Sequence, residues 1–294
     1  MTSAPEFVLT ATELDALRNG AHEAPMPSGV FRVEGSGALQ CVQGVYTNDV
    51  LRHGPDALMW GAVLTAKGMI VFDMWVLRDG DAAWMIVPAV AHATAAAAFN
   101  RTFPPRIAKV TDRTTEVAVS WILGRNPHAG PGLIVPASPA PFAALRFGES
   151  GANPVGETFP KAPAGWASAA RVLAGWPALG REIDDRTLLQ EVRFDSLDGV
   201  RHNKGCYTGQ ETVARLHFRG HPNRMLRGLQ WRDAAPTGSD ILNGDKNVGT
   251  ISTWGLLDGR PVGMAKLRRE VDIGADVDAG GGTATVVDLP FDDQ

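Results

Sequence analysis

Apolar and polar positions alternate in several short blocks along the chain, and the period changes from block to block. Residues 11–18 carry a helical pattern, followed by a Pro-rich connector at Pro25-Met26-Pro27. From Gly29 the period becomes two: Val30, Arg32 and Glu34 alternate with Phe31 and Val33, and Gly35-Ser36-Gly37 ends the strand. A short helix is expected over 38–42. Residues 59–65 and 69–77 are rich in β-branched and large apolar residues and are read as strands. Leu77-Arg78-Asp79-Gly80-Asp81 is a hairpin signal, because Asp-Gly supplies the positive φ angles of a tight turn. The return strand is expected over 84–87, a helix over 88–100, and further strands over 107–111 and 116–123.

Residues 124–165 are rich in Pro, Gly and Ala and are read as short strands between loops; 188–192 and 210–216 are helix candidates. Past Met225 the chain breaks into short strands separated by Asn243-Gly244, Asp258-Gly259 and Gly280-Gly281-Gly282, which suits a small antiparallel barrel or sandwich. Helices scattered among hairpin-connected strands give an α+β class rather than a doubly wound parallel sheet. The expected division is 1–224 as a body of two interleaved subdomains and 225–294 as the barrel.

Composition narrows the function. Among 294 residues, 44% are hydrophobic and 20% charged, with a formal net charge of −4. That is a globular composition with no overall basic field, so direct nucleic-acid binding is not expected. Two cysteines, Cys41 and Cys206, exclude a CxxC zinc site, a cluster held by four cysteines of this chain, and a disulfide-built fold. The first fifteen residues lack a signal-peptide pattern, and 89–99 is too short to span a bilayer. A cytoplasmic monomer without a membrane partner is expected.

The chemistry concentrates in residues 201–227. Six Lys/Arg stand there against one acid, together with His202, His217, His221 and Cys206. A solvated basic face explains the charge alone. However, Gly205, Gly209 and Gly220 permit close backbone approach. Thr208 and Glu211 read as the N-cap and third helical position of a capping box, setting Cys206 just before a helix N-terminus. There the helix dipole and Lys204 would favour a thiolate, while a buried inert thiol is the alternative. Tyr207 is suited to stacking on a flat ring or to packing. His217 and His221 are four apart, but Gly220 and Pro222 argue against a helix spanning them, and no third ligand is evident. No metal site is expected.

Lys204-Gly205-Cys206-Tyr207-Thr208-Gly209-Gln210-Glu211, with Val213-Ala214-Arg215 and Arg219-Gly220 after it, resembles the KGCYxGQE…VAR…RG signature of the YgfZ-type proteins, relatives of the glycine-cleavage T-protein aminomethyltransferase. Gln43 to Val50, Leu64-Thr65-Ala66-Lys67-Gly68, Leu189-Gln190-Glu191 and Val248-Gly249-Thr250-Ile251-Ser252 are similar to further segments of that superfamily, in its order; Leu189 stands where proline is usual. The resemblance runs from about Gly29 to the end.

The resemblance implies an α+β body around a central channel for tetrahydrofolate or a one-carbon derivative, closed by a β-barrel. It also implies a role supporting iron–sulfur proteins or their assembly factors, including tRNA-modifying enzymes. Cys206 and Lys204 are then the candidates for chemistry, and Glu191 for a carboxylate on the pterin. Tyr207, Gly209, Gln210 and Glu211 would line the folate or build the helix entrance, and Arg215, Arg219 and Arg224 would face its anionic tail. Asp73 falls where the transferases carry paired aspartates and is a third catalytic candidate, an acid to orient or deprotonate an amine beside folate; here its neighbour is Phe72, which counts against aminomethyl transfer. Asn48 and Asp49 are expected to order a turn. A folate-dependent transferase remains the alternative reading.

Overall fold

The computed structural model describes residues 4–125, 131–153 and 156–291. Its centre is a five-stranded antiparallel sheet in the spatial order Leu58–Leu64, Ile70–Asp79, Ala82–Pro88, Ser28–Glu34, Lys109–Asp112. The Asp-Gly turn forms as expected: Gly80 has φ 61° and Asp79 pairs with Ala82. Both faces of this sheet are covered, which explains the continuous apolar runs. Met59, Val63, Phe72, Met74 and Val76 pack against the helices Ala38–Val45 and His92–Thr102. Leu58, Trp60, Trp75 and Leu77 point the other way, into the middle of the molecule. Asp73 shares the parity of Trp75 and Leu77, so strand alternation aims a carboxylate at the interior.

A four-stranded sheet, Ala21–Pro25, Val117–Gly124, Ala144–Glu149 and Leu133–Ile134, lies across that interior. The strand Ala21–Pro25 replaces part of the connector expected before Gly29. It holds no β-branched residue and exists through its pairing, with Ala21 opposite Gly124 and Ala24 opposite Trp121. The helix Trp166–Leu173 was likewise not expected; it buries Trp166, Ala169 and Val172 in the same core. Residues 126–130 and 154–155 of the expected loop region lie outside the described residues.

The C-terminal part is a closed six-stranded antiparallel barrel. Lys246–Leu257, Asp240–Asn243, Asp276–Ala279, Gly282–Val287, Arg224–Trp231 and Arg260–Arg268 pair in that order, and the last returns to the first. Closure leaves no free edge within the ring. The N-terminal strand Val8–Leu9 adds in parallel to Lys246–Leu257, tying the start of the chain to the barrel. A buried network joins body to barrel. Arg171 donates to Glu182 at 2.7 Å and to Thr253 at 2.9 Å, and Thr253 donates to Glu182 at 2.6 Å. With all three side chains in the interior, each charge is paired and hydrogen-bonded, the condition for burying charge at tolerable cost.

No helix among the described residues is long and apolar enough to cross a membrane.

Candidate functional site

A cavity of about 230 Å³ opens between the two sheets and the helix Trp166–Leu173, walled by Trp75, Trp121, Trp176 and Pro177. Its walls belong to a chain of touching rings. Phe194 stacks on Trp60 at 4.0 Å, Trp60 meets Trp176 at 4.3 Å, Trp176 stacks on Trp75 at 5.6 Å, and Phe142 bridges Trp75 to Trp121. Aromatic pairs of this kind contribute about 0.5–1.5 kcal/mol each beyond their buried area, so the wall is fixed in shape.

Two polar atoms on cavity-lining residues stand out. Asp73 accepts the Trp60 indole N–H through Oδ2 at 3.0 Å, while its buried Oδ1 has no hydrogen-bond partner. The buried Trp121 indole N–H also lacks an acceptor. A buried polar group left unpaired costs about 1–3 kcal/mol, which points to a partner that arrives from outside. Burial pushes the Asp73 carboxyl up to about 6, with the Trp60 N–H pulling in the opposite direction. The cavity thus has Asp73 and Trp121 among its lining residues, each with one buried polar atom left unpaired within the protein.

The signature loop lies elsewhere. Lys204 donates to the backbone carbonyls of Gln43 at 2.8 Å, Asn48 at 2.7 Å, and Tyr46. All three ammonium hydrogens are therefore spent closing the C-terminal end of the helix Ala38–Val45. Lys204 also sits 5.0 Å over the Tyr207 ring. Lys204, a candidate for chemistry in the sequence, is in this structure a staple between the signature and the segment 43–50. Burial drives its ammonium down to about 8, partly opposed by the nearby Asp49.

Tyr207 is packed in the main core, its phenol pushed up by burial and then by the charge of Asp195. The expected capping box does not form. Gly209, with φ 84°, is the N-cap of the helix Gln210–Arg219, and no side chain caps it. Gln210 instead accepts the Tyr207 backbone N–H at 3.1 Å. Gly209 is needed for space as well: a Cβ there would sit 2.5 Å from the Thr65 carbonyl oxygen. Facing it, Gly68 (φ 84°) would carry its Cβ 2.7 Å from that of Thr212. The 64–68 and 204–211 motifs are thus two halves of one backbone joint.

Cys206 emerges from that joint exposed, four residues before the helix begins, whereas Cys41 is half-buried with its thiol pushed up by burial. Glu211, Arg215 and Arg219 are exposed along the helix. None of residues 204–219 lines the tryptophan cavity. Glu191 does not line it either; it accepts the Leu188 backbone N–H at 3.0 Å, closing its own 3-10 turn Leu189–Val192, and lines a separate groove with Arg193, Asp195 and Arg227. Arg224 borders a third groove, with Lys266 and Arg268. Asn48 and Asp49 order their turn: Asp49 accepts the backbone N–H groups of Leu51 and Arg52, and Asn48 donates to Trp60 and Asp198 carbonyls.

The cavity tryptophans escaped sequence reasoning because they are spread over a hundred residues. Only the position of Asp73 within an apolar strand signalled the pocket.

Comparison with known proteins follows this geometry. Residues 7–130 match the GCVT N-terminal domain. Related sequences include the "tRNA-modifying protein YgfZ" of Aliivibrio fischeri strain MJ11, 30% identical over 105 residues, which cover 33% of this chain and 32% of that one. The glycine cleavage aminomethyltransferase T of Bartonella henselae superposes with a TM-score of 0.77 over 96% of this chain and 89% of that one, at 14% identity. The family match thus rests on residues 7–130, and further stretches of the chain are similar to YgfZ. A further relative is the "Iron-sulfur cluster assembly factor IBA57 homolog, mitochondrial" of Mycosarcoma maydis, 26% identical over 228 residues, 69% of this chain and 55% of that one. The match with the YgfZ of Serratia proteamaculans is 42% over 57 residues and covers 17% of it. The aligned stretches thus span less than two thirds of these curated relatives.

Proposed function

We propose that this protein binds a reduced folate in the tryptophan cavity and, through the exposed Cys206, serves iron–sulfur proteins, including those that modify tRNA. The observation that carries the folate half is the unpaired Asp73 Oδ1 on an aromatic-walled cavity. A pterin fits these groups: its amino edge donates to a carboxylate, its carbonyl accepts from an indole N–H, and its flat face matches tryptophan walls. At about 230 Å³ the cavity is smaller than the roughly 300–1,000 Å³ of whole-ligand sites, so it suits the ring and leaves the anionic tail outside. Asp73 takes the carboxylate role in this reading, in place of Glu191. Bound tetrahydrofolate would supply one-carbon carrying capacity, while the chain supplies orientation and the exclusion of water.

The iron–sulfur half is supported by the similarity to a tRNA-modifying protein and an iron–sulfur cluster assembly factor and by the accessible thiol of the signature. One cysteine can form a mixed disulfide or lend a single ligand, but cannot hold a cluster alone. The single aspartate beside Phe72 favours this role over aminomethyl transfer. The test is complementation of a strain deleted for its own copy, comparing wild type with Cys206→Ser and reading iron–sulfur enzyme activity. Loss with the serine variant is expected; full rescue by it would remove the thiol from the function.

A further inference from the structure

Behind the signature loop, three ligand-bearing side chains from three segments converge. Asp195 follows the 3-10 turn Leu189–Val192, His202 precedes the signature, and His217 sits in the last turn of the helix Gln210–Arg219. That helix runs through His217 and stops at Gly220, which separates His217 from His221 as the sequence led one to expect, and His202 is the histidine that meets His217, where no metal site was expected. The nitrogens of His202 and His217 approach the same oxygen, Asp195 Oδ1, at 2.5 Å and 3.4 Å, and the candidate donor atoms all lie within 4.8 Å of one another. The two imidazoles stack at 3.5 Å between centroids and 17° between planes.

We propose that Asp195, His202 and His217 form a binding site for a first-row divalent transition metal of the zinc or ferrous type, with coordination positions left open towards solvent. The geometry supports it quantitatively. Bonds of about 2.0–2.1 Å from a tetrahedral metal set its ligand atoms about 3.3 Å apart. The His217–Asp195 separation of 3.4 Å already meets that spacing, and His202 reaches it by withdrawing less than an ångström from the carboxylate.

Two imidazoles and one carboxylate suit zinc or ferrous iron; calcium and magnesium prefer all-oxygen shells. At 3.5 Å and 17° the two rings lie face to face, so one imidazole turns about its Cβ–Cγ bond to bring its in-plane lone pair to a metal shared with the other. Asp195 and His217 also border the groove of about 410 Å³ that holds Glu191, Arg193 and Arg227. A metal there would have a polar, open approach for an exogenous ligand. Three protein ligands with open positions are the pattern of reactive rather than purely structural sites.

The test is a calorimetric titration of the full-length chain, freed of metal by a chelator and then dialysed, with Zn²⁺ alone and with Mg²⁺ as control. One Zn²⁺ per chain is expected, with no heat from Mg²⁺. His202→Ala and His217→Ala should each weaken Zn²⁺ at least tenfold, and His221→Ala should leave it unchanged. Asp195→Asn keeps the size of the side chain and tests the site should either alanine variant fail to fold. The Co²⁺-loaded protein should show visible d–d absorption that these variants lose. Zn²⁺ affinity unchanged in His202→Ala or in Asp195→Asn, or no stoichiometric binding by the wild type, would overturn the proposal. Because the assay uses metal alone, it is independent of folate binding and of Cys206.

Discussion

Trp60 donates its indole N–H to Asp73 at 3.0 Å and satisfies one carboxylate oxygen, so that the other is left without a partner deep in the protein. A structural aspartate would have both oxygens engaged. The half-satisfied carboxylate, raised to about 6 by burial, instead destabilises the protein when it ionises. The sign follows from linkage: the folded state binds more protons than the unfolded state between about 4 and 6, so stability falls as pH rises through that window. Asp73→Asn keeps an acceptor for Trp60 and removes the charge. Thermal unfolding should show Asp73→Asn more stable than wild type at pH 7, by up to about 3 kcal/mol, with the gain shrinking towards pH 4. Equal stability of the two proteins at pH 7 would contradict this.

Lys204→Met should be costly without touching the thiol. It strands the carbonyls of Gln43, Tyr46 and Asn48, and losing a charged donor at such a site costs about 2–3 kcal/mol. Denaturant unfolding should register that loss, while the reactivity of Cys206 towards a thiol reagent changes little.

The two glycines of the signature should behave oppositely. Gly209→Ala forces a side chain onto φ 84° and against the Thr65 carbonyl, at a cost of about 1–3 kcal/mol. Gly205 has nothing within 4 Å of an added Cβ, so Gly205→Ala should stay within about 0.5 kcal/mol of wild type. A denaturant midpoint for each variant separates them.

Thiol labelling of the native protein should be biphasic. The exposed Cys206 should react fast, and Cys41, whose thiol is raised by burial, slowly. Cys206→Ser should abolish the fast phase alone.

Much of this architecture was legible in the sequence. The runs at 59–65 and 69–77 had the composition of strands, and they are the spine of the central sheet. The turn residues past Met225 announced a small barrel or sandwich, and it is the barrel that forms. What escaped depended on partners distant in sequence. Ala21–Pro25 is a strand only because Val117–Gly124 lies beside it. The helix cap at Gly209 was hidden by a plausible Thr208–Glu211 box, since spacing cannot reveal that the backbone there meets Thr65. Lys204 looked reactive beside a cysteine, yet its carbonyl partners are about 160 residues earlier. The tryptophan wall, and the convergence of Asp195 with His202 and His217, exist only after the chain has folded.

The central claim is that Asp73 anchors a folate ring in the tryptophan cavity. The direct measurement is calorimetric titration with tetrahydrofolate under reducing, oxygen-free conditions, for wild type and Asp73→Asn, at pH 5, 6, 7 and 8. Hydrogen bonds donated by the ligand favour the ionised carboxylate, so wild-type affinity should rise through about pH 6 and then level off. Asp73→Asn should bind at least tenfold more weakly at pH 7, with no inflection near pH 6, while Glu191→Gln binds as wild type does. Undiminished, pH-dependent binding by Asp73→Asn, or loss of binding in Glu191→Gln alone, would contradict the account.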